Sequence, residues 1–279
     1  EQGLVDVVFK KFAKVGYTNT SKNWDNWNTI VNSLQKTNDT IKIAMVGKYV
    51  TLADSYVSVN EALKHASASI GRSVNIDWID SETLNGNLDQ LNNFDGVLVP
   101  GGFGTRGSEG IIDTATYALE KNIPYLGICF GFQLAAVAFG RKMCNLENAN
   151  STEIVSDAIN PIIDLLPEQK DETDMGGSLR LGANEIMISQ DSLAHKIYSS
   201  DKIFKRHRHR YEFNTKYREE FLKNGMIFSG ESDNGKRMEI LEIPSHKFFF
   251  GVQFHPEFNS RPGFPEQAFK SFVTASSQN

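Results

Sequence analysis

Apolar and polar positions follow two alternating periods through the first half of the chain. Short apolar runs at 41–49 (IKIAMVGKY), 74–80 (VNIDWID), 94–102 (FDGVLVPGG) and 123–129 (IPYLGIC) predict buried strands. Segments with apolar residues three or four positions apart predict helices at 54–71, 108–122 and 130–140. This alternation predicts an α/β fold with an open, mostly parallel central sheet and helices on both faces.

The predicted helices carry candidate capping residues. We place the start of the first helix at Asp54 or Ser55 and its end at Gly71. Ser108 is the predicted N-cap of the second helix.

Beyond residue 150 the pattern changes to strand-like runs without long helices between them. These runs lie at 176–189 (GGSLRLGANEIMIS), 237–244 (RMEILEIP) and 247–254 (KFFFGVQF), and a short helix is predicted from about Pro265. We expect the additional strands to extend or flank the same sheet. The acidic stretch Asp164–Gly177 is interpreted as a mobile surface loop whose closure could complete a site.

The first residues differ in composition from the rest. Residues 1–40 are rich in Asn, Thr and Lys, with Trp24 and Trp27 on a possible helix. We interpret 1–40 as a lead-in or linker and 41–279 as one domain.

Composition and charge narrow the classes of function. A hydrophobic content of 40% in 279 residues is enough for a substantial core. The net charge of −5 disfavours nucleic-acid and membrane partners, although the run 205–210 (KRHRHR) is locally basic, so small ligands are the expected partners. Two cysteines and the lack of a long apolar run predict a cytoplasmic protein.

Cys129 is the first candidate for chemistry. It lies between a predicted strand and a predicted helix, with Gly127 and Gly131 on either side, in the nucleophile-elbow pattern G-x-C-x-G. Ligands bind beyond the carboxyl ends of the strands in such sheets, and a helix N-terminus favours the thiolate. The alternative is a structural cysteine, because lone thiols are commonly buried.

The sequence also offers a base and an oxyanion site. His255 and Glu257 follow the strand KFFFGV, so a carboxylate could orient the imidazole as in a catalytic triad. The backbone N–H groups of Gly102 and Phe130 are our candidate oxyanion donors. A surface His–Glu hydrogen bond and an ordinary glycine-rich turn are the alternative interpretations of these two segments.

Three motifs together resemble a known family. PGGFGTRG, PYLGICFGFQLA and QFHPEF occur in that order and at the separations found in class I glutamine amidotransferases. ALKHA, NANSTE and RHRHRYEFN narrow the resemblance to the glutaminase domains of the CTP synthase family, from about Ile41 to the C-terminus. The resemblance implies a flavodoxin-like α/β domain that hydrolyses L-glutamine to glutamate and ammonia through a γ-glutamyl thioester.

The resemblance also implies roles for particular residues. Cys129 would be the nucleophile, His255 the general base and Glu257 its partner. Arg180, in GGSLRLG, is a hypothetical link to activation by GTP. No metal site is expected, because arginines interleave His207 and His209 and no third ligand is clustered there. Glutamine would be held by Gly102, Phe130, Gly131, Phe132, Gln133, Glu153 and Arg210.

The family implies a larger enzyme. A synthetase domain preceding residue 1 would use ATP and Mg²⁺, with GTP as activator, to convert UTP and ammonia to CTP in a homotetramer. No cofactor is expected on this domain, and no G-x-x-x-x-G-K-[ST] sequence is present.

Some alternatives remain open at this stage. Phe130 and Phe132 replace the Leu and Met usual in the family, which could alter the pocket or the path of ammonia. The same fold also serves γ-glutamyl hydrolases and the amidotransferase of GMP synthetase, and RHRHRYEFN and NANSTE speak against both. A catalytically silent binding module is a further alternative, disfavoured because all three triad residues are present.

Overall fold

The structure, a computed structural model, describes residues 4–12, 25, 27, 28, 30–32, 39–52, 54–84, 86–165 and 179–278. Trp24 and all but the first two residues of Asp164–Gly177 lie outside them, and Trp27 is helical and about half exposed. The helices are α1 Leu4–Phe12, α2 Val57–Ser69, α3 Ser108–Lys121, α4 Phe130–Lys142, α5 Leu193–Tyr198, α6 Arg218–Lys223 and α7 Gln267–Ser276. The strands are β1 Thr40–Gly47, β2 Ser73–Asp80, β3 Gly96–Val99, β4 Tyr125–Ile128, β5 Ala149–Ser151, β6 Asn160–Leu165, β7 Arg180–Ile188, β8 Lys202–His209, β9 Tyr211–Phe213, β10 Ile227–Ser232, β11 Arg237–Glu242 and β12 Phe249–Val252.

A nine-stranded sheet organises the fold, in the order β2-β1-β3-β4-β12-β11-β10-β7-β8. In this order the first five strands, β2-β1-β3-β4-β12, run parallel to one another. The remaining four, β11-β10-β7-β8, are each antiparallel to the strand before them in the sheet. The predicted α/β class is therefore confirmed, and the later strands extend the same sheet. β4 and β12 are adjacent, so the segments that follow them, with Cys129 and His255, emerge at one edge.

Two apolar clusters cover the faces of the sheet. One contains Ile111 of α3 and Leu134 of α4, and the other contains Leu63 of α2 and Phe272 of α7. Helix α4 is buried from Phe130 to Gly140. A helix apolar on all sides belongs in the interior, which holds its first turn in place beside Cys129.

The predicted capping residues are wrong, although α3 and α4 begin at Ser108 and Phe130 as predicted. Tyr56 precedes α2, and no side chain caps that helix, because the chain is still in a turn at Asp54 and Ser55. Gly107, with φ 64°, precedes α3, and the hydroxyl of Ser108 donates to the carbonyl of Thr105 at 2.8 Å. The end of α2 is confirmed, because Gly71 follows it with φ 69°.

The basic run is a strand that the sequence analysis did not identify. In β8, Lys205, His207 and His209 are buried while Arg206 and Arg208 are exposed, the alternation expected of a strand with one face covered. The backbone N–H of His255 donates to the carbonyl of Arg206 at 2.9 Å. This bond holds β8 beside the segment that follows β12, so β8 forms one wall of the site.

A second small sheet was also not predicted. It pairs β5, β6 and β9, and its strands have three, six and three residues. Strands this short carry little periodic signal, so the sequence pattern did not reveal them.

Candidate active site

Cys129 occupies a strained turn between β4 and α4. Its backbone has φ 51° and ψ −96°, a conformation that residues other than glycine rarely adopt. Its N–H donates to the carbonyl of Val252 at 2.7 Å, which ties the turn to β12. A Cβ atom at Gly127 would lie 2.6 Å from the carbonyl oxygen of Gly131. The turn therefore requires glycine at position 127, as the elbow pattern predicted.

His255 and Glu257 form the pair expected from the sequence. His255 Nδ1 lies 2.7 Å from Glu257 Oε1, and both side chains are largely buried. Burial opposes protonation of the imidazole, but hydrogen bonds and charge at Cys129 and Glu257 raise the pKa of His255 to about 11. These contacts therefore favour the imidazolium form of the ring.

The glycine-rich loop after β3 approaches both catalytic candidates. A Cβ atom at Gly101 would lie 2.9 Å from His255 Cε1 and 3.8 Å from Cys129 Cβ. Gly102 lies beside the ring of Phe130, and Phe130 is the first residue of α4. The first amides of a helix have no intrahelical acceptor, so the backbone N–H of Phe130 is available to an oxyanion.

Lys48 holds this loop, and the sequence analysis gave it no role. Its ammonium donates to the carbonyls of Phe103, at 2.8 Å, and Gly104, and it lies 4.2 Å from the ring centroid of Phe130. Burial lowers the pKa of Lys48 to about 8, although Glu153 acts in the opposite direction. A lysine directly after a buried strand, in VGKY, was the available signal.

A cavity of about 880 Å³ opens onto Cys129. Glu153 lies on its wall and accepts from the N–H of Gly104 at 2.7 Å, and burial raises the pKa of this carboxyl. Carboxylate and guanidinium groups in one cavity suit a ligand with an ammonium and a carboxylate. The predicted site residues that line the cavity are Cys129, His255, Glu257, Gly102, Gln133, Glu153 and Arg210.

Three of the residues predicted to hold glutamine do not line the cavity. Phe130 and Phe132 are almost completely buried, and Phe132 Cδ2 lies 3.3 Å from the Cβ position of Gly251. A Cβ atom at Gly131 would lie 2.3 Å from the carbonyl oxygen of Val99. The two phenylalanine rings therefore belong to the core, and only the backbone groups of Phe130, Gly131 and Phe132 are left for contact with a ligand.

Arg180 lies in a buried polar network. Its guanidinium pairs with Glu239 at 2.5 Å and donates to the hydroxyl of Ser232 at 3.0 Å. Its side chain is only 11% exposed, so the guanidinium is largely buried in this structure. Its link to GTP stays a prediction.

His207 and His209 belong to the same network. His209 Nδ1 donates to the carbonyl of Tyr211 at 2.9 Å, which leaves its Nε2 to accept from His207 Nδ1 at 3.2 Å. Burial, followed by charged neighbours, lowers the pKa of each ring to about 3, so both are neutral. Within the described ranges, no group of three or more His, Cys, Asp or Glu side chains is arranged to hold a metal ion.

The second cysteine lies away from the site. Cys144 follows α4, is 7% exposed and donates to the carbonyl of Glu220 at 3.9 Å. Burial and the charge of Glu220 raise the pKa of this thiol to about 11. Cys144 is therefore a natural control for the reactivity of Cys129.

Comparison with known proteins agrees with this fold. The family "Glutamine amidotransferase class-I" matches residues 51–275, and the chain belongs to this family. Within it, the chain resembles the glutaminase domains of CTP synthases. It is 50% identical to the CTP synthase of Archaeoglobus fulgidus over 89% of this chain and 47% of that protein. It is 49% identical to the CTP synthase of Staphylococcus haemolyticus over 98% of this chain and 51% of that protein.

A solved structure gives the same result. The glutaminase domain of Trypanosoma brucei CTPS, with bound acivicin, superposes with a TM-score of 0.80 at 36% identity. The match covers 86% of this chain and 94% of that one. The chain spans about half the length of the curated relatives it matches.

Proposed function

We propose that this chain hydrolyses L-glutamine to glutamate and ammonia, with Cys129 as nucleophile, His255 as proton carrier and Glu257 as its orienting partner. The observation that carries the proposal is the hydrogen bond of 2.7 Å between His255 and Glu257 beside a cysteine in an elbow turn. Nucleophile, base and orienting group in this order define a catalytic triad.

The reaction follows from the protonation states of the pair. The Cys129 thiolate attacks the side-chain carbonyl carbon of glutamine, and the N–H groups of Gly102 and Phe130 stabilise the oxyanion. The His255 imidazolium gives its proton to the leaving nitrogen, so ammonia departs and a γ-glutamyl thioester remains. Water, deprotonated by the now neutral His255, attacks the thioester, and glutamate is released with the thiolate restored.

We assign the charged end of the substrate to the part of the cavity wall that holds Glu153 and Arg210. Glu153 pairs with the α-ammonium and Arg210 with the α-carboxylate of glutamine, and the backbone of the 130–133 turn donates to the substrate. The acivicin-bound relative supports ligand binding in the corresponding domain.

The ammonia would serve a second reaction in the whole protein. Similarity to CTP synthases over about half their length supports a synthetase domain that uses ATP and Mg²⁺ to convert UTP to CTP, with GTP as activator. We place residues 1–40 as the connection to that domain, the assembly as a homotetramer and the location as the cytoplasm. No helix in the part of the chain that the structure describes is long and apolar enough to cross a membrane.

A glutaminase assay tests the proposal. The purified chain, with and without a separately supplied synthetase domain and GTP, is assayed for glutamate and ammonia. We expect equal amounts of the two products, at least a thousandfold loss in Cys129→Ser, and no loss in Cys144→Ser. Undiminished hydrolysis by Cys129→Ser would contradict the proposal.

A further inference from the structure

Gln253 is a buried polar residue directly beside the nucleophile, and the mechanism above leaves it without a role. It follows β12, two residues before His255, and is only 1% exposed. Its Nε2 lies 3.7 Å from the Sγ of Cys129. Its backbone N–H donates to the carbonyl of Glu239 at 2.9 Å, which fixes the position of the residue.

The orientation of this amide is determined by a chain of hydrogen bonds. The carbonyl of Tyr211 accepts from Nε2 of Gln133 at 2.7 Å, so the NH₂ group of Gln133 must face that carbonyl. The same NH₂ group lies 3.3 Å from Oε1 of Gln253. Because the oxygen of Gln253 faces this donor, its own NH₂ group faces the sulfur.

The sulfur of Cys129 thus lies between an acceptor and a donor. The carbonyl oxygen of Arg208 lies 3.8 Å from Sγ and accepts a hydrogen bond only from the protonated thiol. The amide of Gln253 donates, and donation to an ionised group favours the ionised form. The balance between these two contacts affects how much of the thiol is ionised.

We propose that Gln253 is a positioning residue that holds Cys129 in its reactive thiolate form, and that Gln133 and the carbonyl of Tyr211 keep its amide in the donating orientation. The importance of Gln253 for glutamine hydrolysis rests on the proposed function. Its effect on the ionisation of the thiol does not, because that ionisation is measurable without glutamine. Gln253 contacts the nucleophile and does not line the cavity.

Other titratable groups near Cys129 set the background for the test. They are unchanged in the variants below, so a difference between variants reports the contact from position 253. The groups that line the cavity with Cys129 are Tyr49, Tyr56, Glu153, Arg208, His209, Arg210, Tyr211, His255 and Glu257, and Lys48 lies behind the loop.

Two substitutions separate donation from packing. Gln253→Glu keeps the shape and the oxygen that accepts from Gln133, but it replaces the donor with a carboxylate facing the sulfur. Gln253→Met keeps the volume and removes both hydrogen bonds. Gln267→Glu, an exposed position at the start of α7, introduces the same charge away from the site. All variants carry Cys144→Ser so that alkylation reports a single thiol.

The measurement is the rate of Cys129 alkylation by iodoacetamide as a function of pH in the 279-residue chain. We expect the profile of Gln253→Met to move to higher pH by about one unit, which slows alkylation about tenfold at pH values well below the midpoint of the profile. Gln253→Glu should move at least as far, because two negative charges would face each other. Gln267→Glu should follow the parent profile.

Two results would overturn the inference. One is an unshifted profile in both variants. The other is a shift in Gln253→Met alone, which would assign Gln253 a packing role; if the Met variant fails to fold, the Glu variant decides. Failure of the parent chain to hydrolyse glutamine, combined with shifted profiles, would refute the proposed function and leave this inference intact.

Discussion

The imidazole of His255 and the carboxylate of Glu257 are hydrogen bonded at 2.7 Å although a single residue, Pro256, separates them in the chain. Pro256 begins a 3₁₀-helical turn that runs to Asn259, and this turn brings Glu257 back against the ring. Because Nδ1 of the ring is occupied, Nε2 is left for Cys129. Two short segments, one after β4 and one after β12, therefore supply all three residues of the proposed triad.

Removing the charge of Glu257 should weaken catalysis and change its pH dependence. Glu257→Gln keeps an oxygen that accepts from Nδ1 but removes the carboxylate that helps to raise the pKa of His255 against burial. We expect kcat for glutamine hydrolysis to fall about a hundredfold. The imidazolium should lose its proton at a lower pH than in the parent, so the alkaline limb of the kcat profile should shift to lower pH.

The control for this prediction is Glu219→Gln, an exposed position at the start of α6. It should leave both kcat and the pH profile unchanged. An alkaline limb at the parent's pH in Glu257→Gln would show that the carboxylate does not stabilise the imidazolium.

Gly101 controls the position of His255 by lacking a side chain. In Gly101→Ala the new methyl group would lie 2.9 Å from His255 Cε1, so the ring must move. A displacement of about 1 Å at a catalytic group costs about a hundredfold in rate, and we expect that loss in kcat/KM. The free energy of unfolding should change much less than the activation free energy of the reaction.

Gly140→Ala is the matched control, because its methyl group would meet Ile162 and Phe221 at an ordinary distance of 3.4 Å. It lies inside α4, where alanine is favoured over glycine, and it should keep full activity. Equal activity in Gly101→Ala and Gly140→Ala would refute the positioning argument.

The sequence was most informative where chemistry and backbone geometry impose local patterns. Cys129 between two glycines, and the separation of His255 and Glu257 by one residue, allowed the elbow and the pair to be predicted. β8 was missed because its alternation is carried by His and Lys, which sequence patterns treat as polar although here they are buried. Lys48 and Gln253 were missed because their roles depend on contacts with distant segments.

The helix caps were missed for a different reason. Asp54, Ser55 and Ser108 have good capping side chains, but Tyr56 and Gly107 occupy the cap positions of α2 and α3. A cap preference is worth about 1 kcal/mol, which the packing of a buried helix face exceeds.

The buried histidine pair should make the fold sensitive to acid. Burial, followed by the charges of Arg180 and other neighbours, lowers the pKa of His207 to about 3, so the ring stays neutral in the folded chain. The unfolded chain protonates it near its ordinary value of about 6.5, so stability is complete above that pH and declines as pH falls toward 3. The contribution is at most about 1.4 kcal/mol per pH unit.

His207→Gln should remove this contribution. Urea unfolding is measured from about pH 7.5 to about pH 5, an interval that brackets the ordinary pKa of histidine. Over this interval the free energy of unfolding should fall less steeply in the variant than in the parent. Glu212 acts in the opposite sense in both proteins, because burial raises its pKa to about 7, and it cancels from the difference. Parallel curves for parent and variant would show that His207 is not held neutral.

Labelling with an electrophilic glutamine analogue tests most directly whether Cys129 is a reactive nucleophile in a pocket that binds glutamine. The 279-residue chain is treated with a chloroketone analogue of glutamine, with and without excess glutamine, and the adduct is mapped by peptide mass spectrometry. The account predicts a single adduct on Cys129 that excess glutamine suppresses. No adduct, or equal labelling of Cys129 and Cys144 regardless of glutamine, would contradict it.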